Sequence, residues 1–214
     1  MPDIYSTAYD GYMVSQDSSW ATAREAAAAD SYVGGSVSYA NAVEATKNTA
    51  ARRFTVTRTF LSFDCRTIYT VPSALSLVLR GITNDGADMY AVKGTQPTIS
   101  VTTAHFDSIY GWDNDADNSS NVRKYSSEIT TWATGLPGTN TIALNDNAKA
   151  DMASNSYLQI VMIESRYDLT HTEPSDLTAI SGMRYSEAFG TAFDPKLTYT
   201  AGVDSSPALM QINF

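Results

Sequence analysis

The two histidines and the single cysteine are the side chains of this chain best suited to nucleophilic or acid–base catalysis. His105 lies near Asp107 and His171 lies near Asp168, so a Ser-His-Asp arrangement is conceivable. The Gly-x-Ser-x-Gly nucleophile motif is absent from the sequence, however. Cys65 has no histidine near it in sequence, which favours a structural thiol over a nucleophile. We therefore expect no enzymatic activity, with hydrolysis as a remote alternative.

An acidic run offers oxygen ligands for a metal ion. Asp113, Asp115 and Asp117 alternate in DNDADNSSN, and oxygen-rich loops of this kind bind calcium. The EF-hand pattern fails, because Asn118 stands where that pattern requires glycine and Lys124 where it requires glutamate. Zinc would need more histidine or cysteine ligands than the chain contains. We predict no cofactor; calcium at the three aspartates is the one metal hypothesis, and a solvated Asn- and Asp-rich loop is the simpler alternative.

Aromatic residues in polar segments form the candidate ligand surface. Exposed Trp and Tyr rings stack on sugars and anchor protein interfaces. Trp20, Trp112, Tyr110 and Tyr167 all lie in such segments and are the predicted glycan contacts. The alternative is that these rings pack over the ends of the fold. Trp132 is expected in the core.

Several charged residues are more simply explained by structure than by chemistry. Arg58 and Asp64 flank an apolar strand, which predicts a structural salt bridge or a buried, hydrogen-bonded guanidinium. Arg166 with Asp168 is interpreted as a loop ion pair. Glu164 is close to them in sequence, but nothing in the pattern brings two carboxylates together across a cleft, as glycoside hydrolysis requires.

The elements that must position these residues are mainly short β-strands. The clearest is 52–64, RRFTVTRTFLSFD, whose apolar face changes near Thr59; a bulge or a strand buried on both faces would explain the change. The continuous apolar run at 157–163 is typical of a central strand. Helices are predicted within 18–29, capped by Ser18 or Ser19, and over 145–153, capped by Asn145 or Asp146. Shorter strands are predicted at 10–16, 36–40, 74–79, 87–92, 98–101, 121–125, 129–132, 140–144, 180–185 and 196–200. Apart from the strand at 36–40, the small and polar residues 30–50 are expected to form a loop.

Strands of this length, with turn signals about every ten residues, predict an all-β fold. We expect an antiparallel β-sandwich or jelly roll with long polar loops and one or two short helices. Residues 1–200 are predicted to form a single domain and 201–214 a C-terminal tail. We expect the tail to bind a neighbouring subunit by strand addition or pocket insertion. Its apolar residues are Leu209, Met210, Ile212 and Phe214.

Charge and composition limit the classes of partner that the chain is expected to bind. The formal net charge of −9 argues against nucleic acid or an anionic membrane, since both reward clustered Lys and Arg. The first residues have neither the basic nor the apolar region of a signal peptide, and no apolar run approaches the length of a membrane span. We therefore expect synthesis in the cytoplasm, and a single cysteine agrees with that reducing compartment.

Several segments, in order along the chain, resemble one known family. They include a DGY turn, the strand RTFLSFD, the strand SALSL after Val71-Pro72, an apolar strand leading into ESRYD, and the closing DPKLTYT. Together they resemble the DNRLRE-type β-sandwich module of bacterial surface proteins and of tail or decoration proteins of environmental phages. Asp194 stands where the family usually has a basic residue, and the loop at 113–121 is extended. The five segments that carry the resemblance lie at 10–12, 58–64, 73–77, 158–168 and 194–200.

The resemblance implies adhesion, particle structure or glycan contact, and it transfers no catalytic residue. We expect a non-enzymatic bacteriophage virion protein, as a capsid decoration, head-fibre or tail-associated subunit. Its expected location is the virion, its expected partners are other capsid or tail proteins and surface glycans, and a homo-oligomer is expected. The alternative is a carbohydrate-binding or adhesive module of a cell-surface or secreted protein.

Overall fold

The computed structural model describes residues 2–34, 40–48, 50–135, 138–175, 181–186 and 193–202. In this part of the chain, two antiparallel sheets and two short helices make up an all-β sandwich, which confirms the predicted fold class. The helices are α1 (Trp20–Arg24) and α2 (Asp146–Ser154), with a 3₁₀ turn at Thr103–His105. The strands are β1 Asp3–Tyr5, β2 Gly11–Asp17, β3 Ser31–Gly34, β4 Ala40–Asn48, β5 Arg53–Asp64, β6 Ala74–Asn84, β7 Met89–Lys93, β8 Thr139–Ala143, β9 Tyr157–Glu164, β10 Ser181–Ser186 and β11 Lys196–Thr200.

Hydrogen bonds link the strands in the order β1-β11-β6-β10-β4-β5-β2-β3. Two branches leave this path: β9 joins β5 to β7, and β8 pairs with β6. Along one edge, β5 pairs first with β4, up to Thr57, and then with β9, from Thr59 onward. Because β5 changes neighbour at this point, one hydrogen-bond network runs through both sheets.

The double burial of β5 explains the change of apolar face near Thr59. The strand is buried continuously from Val56 to Phe63. Val56 and Phe60 belong to one apolar cluster, and Leu61 and Phe63 belong to a second. Of the two predicted explanations, the strand buried on both faces is therefore the one that the structure supports.

The apolar run of β9 confirms the prediction of a central strand. It pairs with β5 on one edge and with β7 on the other. Ile160 and Met162 contribute to one apolar cluster, whereas Val161 and Ile163 contribute to the other. Successive side chains of β9 point to opposite faces, so burial of both faces explains the consecutive apolar residues at 160–163.

Side-chain caps decide where both helices begin. Thr22 donates its N–H to Oγ of Ser19 at 3.4 Å, and α1 ends after five residues, well short of the predicted limit. Ala148 donates its N–H to Oδ1 of Asn145 at 3.3 Å, so α2 begins where the sequence predicts. Neither helix in the described residues is long and apolar enough to cross a membrane.

The structure corrects the prediction that residues 30–50 are mainly loop. The segment contains β3 and the nine-residue β4, which pairs with β5 on one side and β10 on the other. Ladder hydrogen bonds from two neighbours outweigh the weak strand propensity of its small residues. Conversely, the strand predicted at 98–101 is absent, and the strands at 121–125 and 129–132 are reduced to single bridges at Lys124 and Ile129.

Candidate functional site

Arg58 of β5 is the centre of a charged cluster closed to solvent. Its Nε and Nη2 donate to the two carboxylate oxygens of Asp168 at 2.8 and 2.7 Å, and both side chains are 0% exposed. Nη1 donates to the main-chain oxygen of Phe106 at 2.9 Å, and Nη2 also donates to that of Arg24 at 3.0 Å. Asp64, the partner predicted from sequence, instead lies at the partly exposed end of the strand. The prediction of a buried, hydrogen-bonded guanidinium is confirmed, with a different carboxylate.

Arg24, the last residue of α1, is a second buried guanidinium in the cluster. Its Nε donates to the main-chain oxygen of Asp168 at 2.7 Å and lies 3.8 Å from Oδ1 of the same residue. Nη1 and Nη2 donate to the main-chain oxygens of Asn114 and Ala116 at 2.7 and 3.0 Å. Burial lowers the pKa of Arg24, and the charge of Arg58 lowers it too, while Asp168 opposes both. One carboxylate thus lies beside two guanidinium groups, and main-chain carbonyls accept further hydrogen bonds from both of them.

Glu164, at the end of β9, holds the turn that carries Asp168. Its carboxylate accepts from the N–H groups of Arg166, Tyr167 and Asp168 at 2.8, 2.6 and 3.0 Å. Burial raises the pKa of Glu164, against the lowering effect of these three N–H donors. Arg166 pairs with Asp88 at 2.8 Å, which corrects the predicted pair with Asp168. The carboxylate therefore orders the turn.

Trp112 packs against the cluster instead of presenting a free stacking face. The guanidinium carbons of Arg58 and Arg24 lie 4.1 and 4.5 Å from the centroid of its ring, and that of Arg58 also lies 4.3 Å from the ring of Phe106. Its Nε1 donates to Oδ1 of Asn114 at 2.7 Å. These are cation–π contacts in a desolvated setting, where they contribute most. The half-buried ring therefore packs on the two guanidinium groups of the internal cluster.

The other three predicted glycan contacts differ in exposure. Trp20 is 5% exposed and packs edge-to-face on Phe54 with centroids 5.8 Å apart, which corrects the prediction of an exposed ring. Tyr167 is half-buried against the apolar cluster. Tyr110 is 44% exposed, and its ring is flanked by the ammonium of Lys93 and the guanidinium of Arg123. Of the four, only Tyr110 is exposed, and two cations lie over its ring.

The acidic loop is organised by its own hydrogen bonds and by Arg24. Asp113 accepts from the N–H of Asp115 at 3.0 Å, and Asp117 accepts from the N–H and Oγ of Ser119 at 2.8 and 2.5 Å. These are Asx turns, as the simpler alternative predicted. Among the described residues, no group of three or more His, Cys, Asp or Glu side chains could hold a metal ion. The structure therefore lends the calcium hypothesis no support.

The residues weighed for catalysis each make a local contact. Nδ1 of His105 accepts from the N–H of Thr102 at 3.2 Å, and Nε2 of His171 lies 2.9 Å from a carboxylate oxygen of Glu25. Cys65 is buried, and burial raises the pKa of its thiol to about 11. A thiol with so high a pKa is almost entirely protonated near neutral pH, which fits the predicted structural role.

A groove of about 610 Å³ lies between β8 and the segment 126–133. β8 pairs with β6 along one edge. The ladder between β8 and β6 ends in hydrogen bonds at Gly138 and at Leu144. In an antiparallel pair only every second residue bonds to the neighbouring strand, so these two bonds determine which residues of β8 do so. The N–H groups of Thr141 and Ala143 therefore point away from β6. No acceptor in the described part of the chain meets these two N–H groups. The groove is therefore bordered by a strand edge with unused donors.

Sequence reasoning detected only part of this arrangement. The position of Arg58 between Val56 and Phe60, in an inward-facing row, was a usable signal for a buried guanidinium. Arg24 gave no such signal, because it lies in an alanine-rich segment without strong periodicity. Nothing local marks the open edge of β8. The predicted partner-binding residues Leu209, Met210, Ile212 and Phe214 lie outside the described residues.

Fold and site together define an all-β sandwich whose long loops are tied to the core by a buried Arg–Asp–Arg cluster. No protein-family model matches the chain, and no curated protein matches its sequence.

Proposed function

We propose that this chain is a non-enzymatic structural subunit of a bacteriophage virion, acting as a capsid decoration, head-fibre or tail-associated protein. The observation that carries the proposal is the open edge of β8 beside its groove. An exposed strand edge is a template for a strand from another chain, and proteins use such additions to join subunits. The resemblance to modules of phage tail and decoration proteins suggests the kind of assembly.

The occupant that we propose for the groove is the segment 209–214 of a second copy. In this segment Met210, Ile212 and Phe214 alternate with amide side chains, which is the pattern of a strand with one apolar face. The groove offers an apolar contact at the partly buried Ile129, and several threonines line the rest of it. Main-chain hydrogen bonds would supply affinity, and the apolar face would supply specificity.

The buried cluster favours a structural role for the sandwich. Arg24 and Arg58 connect α1 and β5 to the loop around Asn114 and to the turn at Asp168. Long loops tied to the core in this way keep their shape without a ligand. A subunit that repeats in a shell or tube needs such preorganised surfaces, because ordering loops on assembly would weaken each contact.

The proposal is tested by the mass of the purified chain in solution and by a proline in the strand edge. Thr141→Pro removes one outward N–H, and proline is tolerated on an edge strand because no bond to β6 is lost. We expect the full chain to form a homo-oligomer in multi-angle light scattering, and we expect Thr141→Pro or deletion of 205–214 to give monomers. Immunogold labelling of purified particles tests the virion location.

Thr141→Val is the matched control, because it removes the hydroxyl but keeps the N–H, and it should remain oligomeric. Circular dichroism confirms that each variant is folded. A full chain that is monomeric at all concentrations, or Thr141→Pro and the deletion both assembling normally, would show that strand addition at β8 is wrong. Particles that lack the label would exclude the virion location.

A carbohydrate-binding or adhesive module is the second candidate, and the exposure of Tyr110 favours it. The exposed part of Tyr110, which is 44% accessible, can contact a sugar, while Lys93 and Arg123 beside the ring can donate to its hydroxyls. A glycan array probed with the full chain and with Tyr110→Ala tests this role. Equal signals from the two proteins, or no signal from either, would remove Tyr110 from consideration.

A further inference from the structure

The main chain holds Lys93, Tyr110 and Arg123 together in a closed ring of hydrogen bonds. The N–H of Lys93 donates to the oxygen of Arg123 at 2.9 Å, and the N–H of Arg123 donates to the oxygen of Tyr110 at 3.3 Å. The N–H of Tyr110 completes the ring by donating to the oxygen of Lys93 at 2.9 Å. Because the three residues belong to separate segments of the chain, these bonds set their spacing without any ligand.

The side chains of these three residues form a surface patch around the ring of Tyr110, which we call the Tyr110 patch. Nζ of Lys93 and the guanidinium carbon of Arg123 lie 5.4 and 4.7 Å from the centroid of that ring. Tyr110 is 44% exposed, and the side chains of Arg123 and Lys93 are 36% and 21% exposed. A dissolved ligand can therefore reach all three residues.

The charges of the Tyr110 patch do not cancel. Among the described residues, Asp151 is the one carboxylate within ion-pair distance of either cation, and its Oδ2 lies 3.0 Å from Nζ of Lys93 and 3.6 Å from Nη1 of Arg123. Burial alone would raise the pKa of Asp151, but the bonds from Tyr125 and Lys93 hold it below its usual value, so the carboxylate is ionised near neutral pH. Two cations therefore share one negative charge, which leaves a positive surplus. The net charge of −9 acts weakly here, because charges beyond about 8 Å are largely screened at physiological ionic strength.

The guanidinium of Arg123 has hydrogen-bond donors that the described part of the chain does not use. Its contact with Asp151, at 3.6 Å, is longer than a hydrogen bond, and its side chain donates to no other described residue. The guanidinium groups of Arg24 and Arg58, by contrast, donate to main-chain and carboxylate oxygens of the protein. Contact with the face of Tyr110 restrains the plane of the Arg123 guanidinium and leaves the N–H groups at its edge free. Arg123 thus presents an oriented pair of donors to the solvent.

We propose that the Tyr110 patch binds a sugar that carries a carboxylate, either as a free uronic acid or as one unit of an acidic glycan. Two N–H groups of Arg123 match the two oxygens of a carboxylate, and the carboxylate compensates the positive surplus. The exposed part of Tyr110 contacts the sugar ring, and Lys93 donates to a hydroxyl. This inference rests on the second candidate function, glycan contact at Tyr110, and specifies its ligand class. It does not depend on the chain being a virion subunit.

The test is saturation-transfer NMR of the full chain with matched acidic and neutral sugars at physiological ionic strength. The probes are the methyl glycosides of glucuronic and galacturonic acid and those of glucose and galactose. We expect at least one acidic sugar to bind, and to bind more tightly than its neutral counterpart. Arg123→Gln should weaken binding of the acidic sugar at least about tenfold, because it removes the charge and the paired donors, and it should leave the neutral sugar unaffected. Arg53→Gln is the matched control, since Arg53 is an exposed arginine whose partner is the neutral Gln16, and it should bind as the original chain does.

The outcomes separate this inference from the functions proposed above. Equal binding of acidic and neutral sugars, or unchanged binding of the acidic sugar by Arg123→Gln, would overturn the inference and leave glycan contact in place. No saturation transfer to any of the four sugars would overturn both this inference and the carbohydrate-binding candidate, while mass and particle location would still decide the subunit proposal. Circular dichroism checks that Arg123→Gln is folded. Arg123→Lys is the second variant, and it should bind the acidic sugar more weakly than the original chain does, because lysine keeps the charge but lacks the fork.

Discussion

Arg58 and Asp168, 110 positions apart in the chain, form a two-point ion pair in which neither side chain is exposed to solvent. The pair joins the middle of β5 to the turn that follows β9. Removing charges from water is costly, so such a pair is maintained only where geometry and further hydrogen bonds compensate. Here the guanidinium of Arg24 and the main-chain carbonyls around it supply those bonds.

Replacing Asp168 should be among the most damaging substitutions in the chain. Asp168→Asn leaves two buried guanidinium groups without a counter-charge, so we expect a loss of about 3–5 kcal/mol in the free energy of unfolding. Urea denaturation measures the change. Asp88→Asn is the control, because its partner Arg166 is about half exposed and such pairs contribute about 1 kcal/mol or less. Equal effects of the two substitutions would contradict the central role of the cluster.

Arg24→Lys should loosen the acidic loop at 113–121 selectively. Lysine keeps the positive charge but lacks the planar fork that donates to Asn114 and Ala116 together. We expect faster amide hydrogen exchange in this loop, while exchange in β9 changes little, and mass spectrometry of the exchanged peptides measures both. Arg123→Lys, at a guanidinium that is 36% exposed, should leave the loop unchanged.

Calcium should not stabilise the chain. The carbonyl oxygens of Asn114 and Ala116 already accept from Arg24, and the carboxylates of Asp113 and Asp117 are engaged in Asx turns. We expect the melting temperature to be the same in calcium chloride and in a chelator, since only binding to the folded state would raise it. An increase that disappears in Asp113→Asn would instead establish a calcium site in the loop.

The ionisation of Asp151 should make the free energy of unfolding depend on pH in the acidic range. Burial opposes its ionisation, but the bonds from Tyr125 and Lys93 outweigh it and hold the folded-state pKa below the unfolded value of about 3.9. The stabilisation that ionised Asp151 provides is therefore fully present above the unfolded-state pKa, and it is lost as the pH falls through the folded-state pKa. The stability difference between the original chain and Asp151→Asn should be largest near neutral pH and shrink in acid. Asp146→Asn, at a side chain that is 96% exposed, should show a smaller dependence.

Cys65 should resist modification while the protein is folded. With a pKa raised by burial to about 11, roughly one thiol in a thousand is ionised at pH 8, and the side chain is closed to reagents. We expect iodoacetamide to label the native chain far more slowly than the chain in urea, as intact mass measures. Comparable labelling rates in the two states would mean that the strand end around Cys65 opens readily.

Local patterns predicted the elements better than the contacts between them. The alternation in 52–64 identified β5, including its change of face, and Asn145 correctly marked the start of α2. The prediction failed for β4, whose small residues carry little strand signal, and for Trp20, which lies in a polar segment but is buried on Phe54. Polarity of the neighbours in sequence does not decide burial, because a short helix can turn one side chain into the core.

The sequence by itself determined the features that depend on residues a few positions apart. These are the strands with period-two burial, such as β2 and β6, the caps of α1 and α2, and the net negative charge. The tertiary structure decided that Arg58 meets Asp168, that Arg24 joins this pair, and that the outward N–H groups of β8 meet no acceptor among the described residues. These features follow from the order in which strands pair. Strand order is set by the packing of both apolar clusters at once, and no short stretch of the chain contains that information.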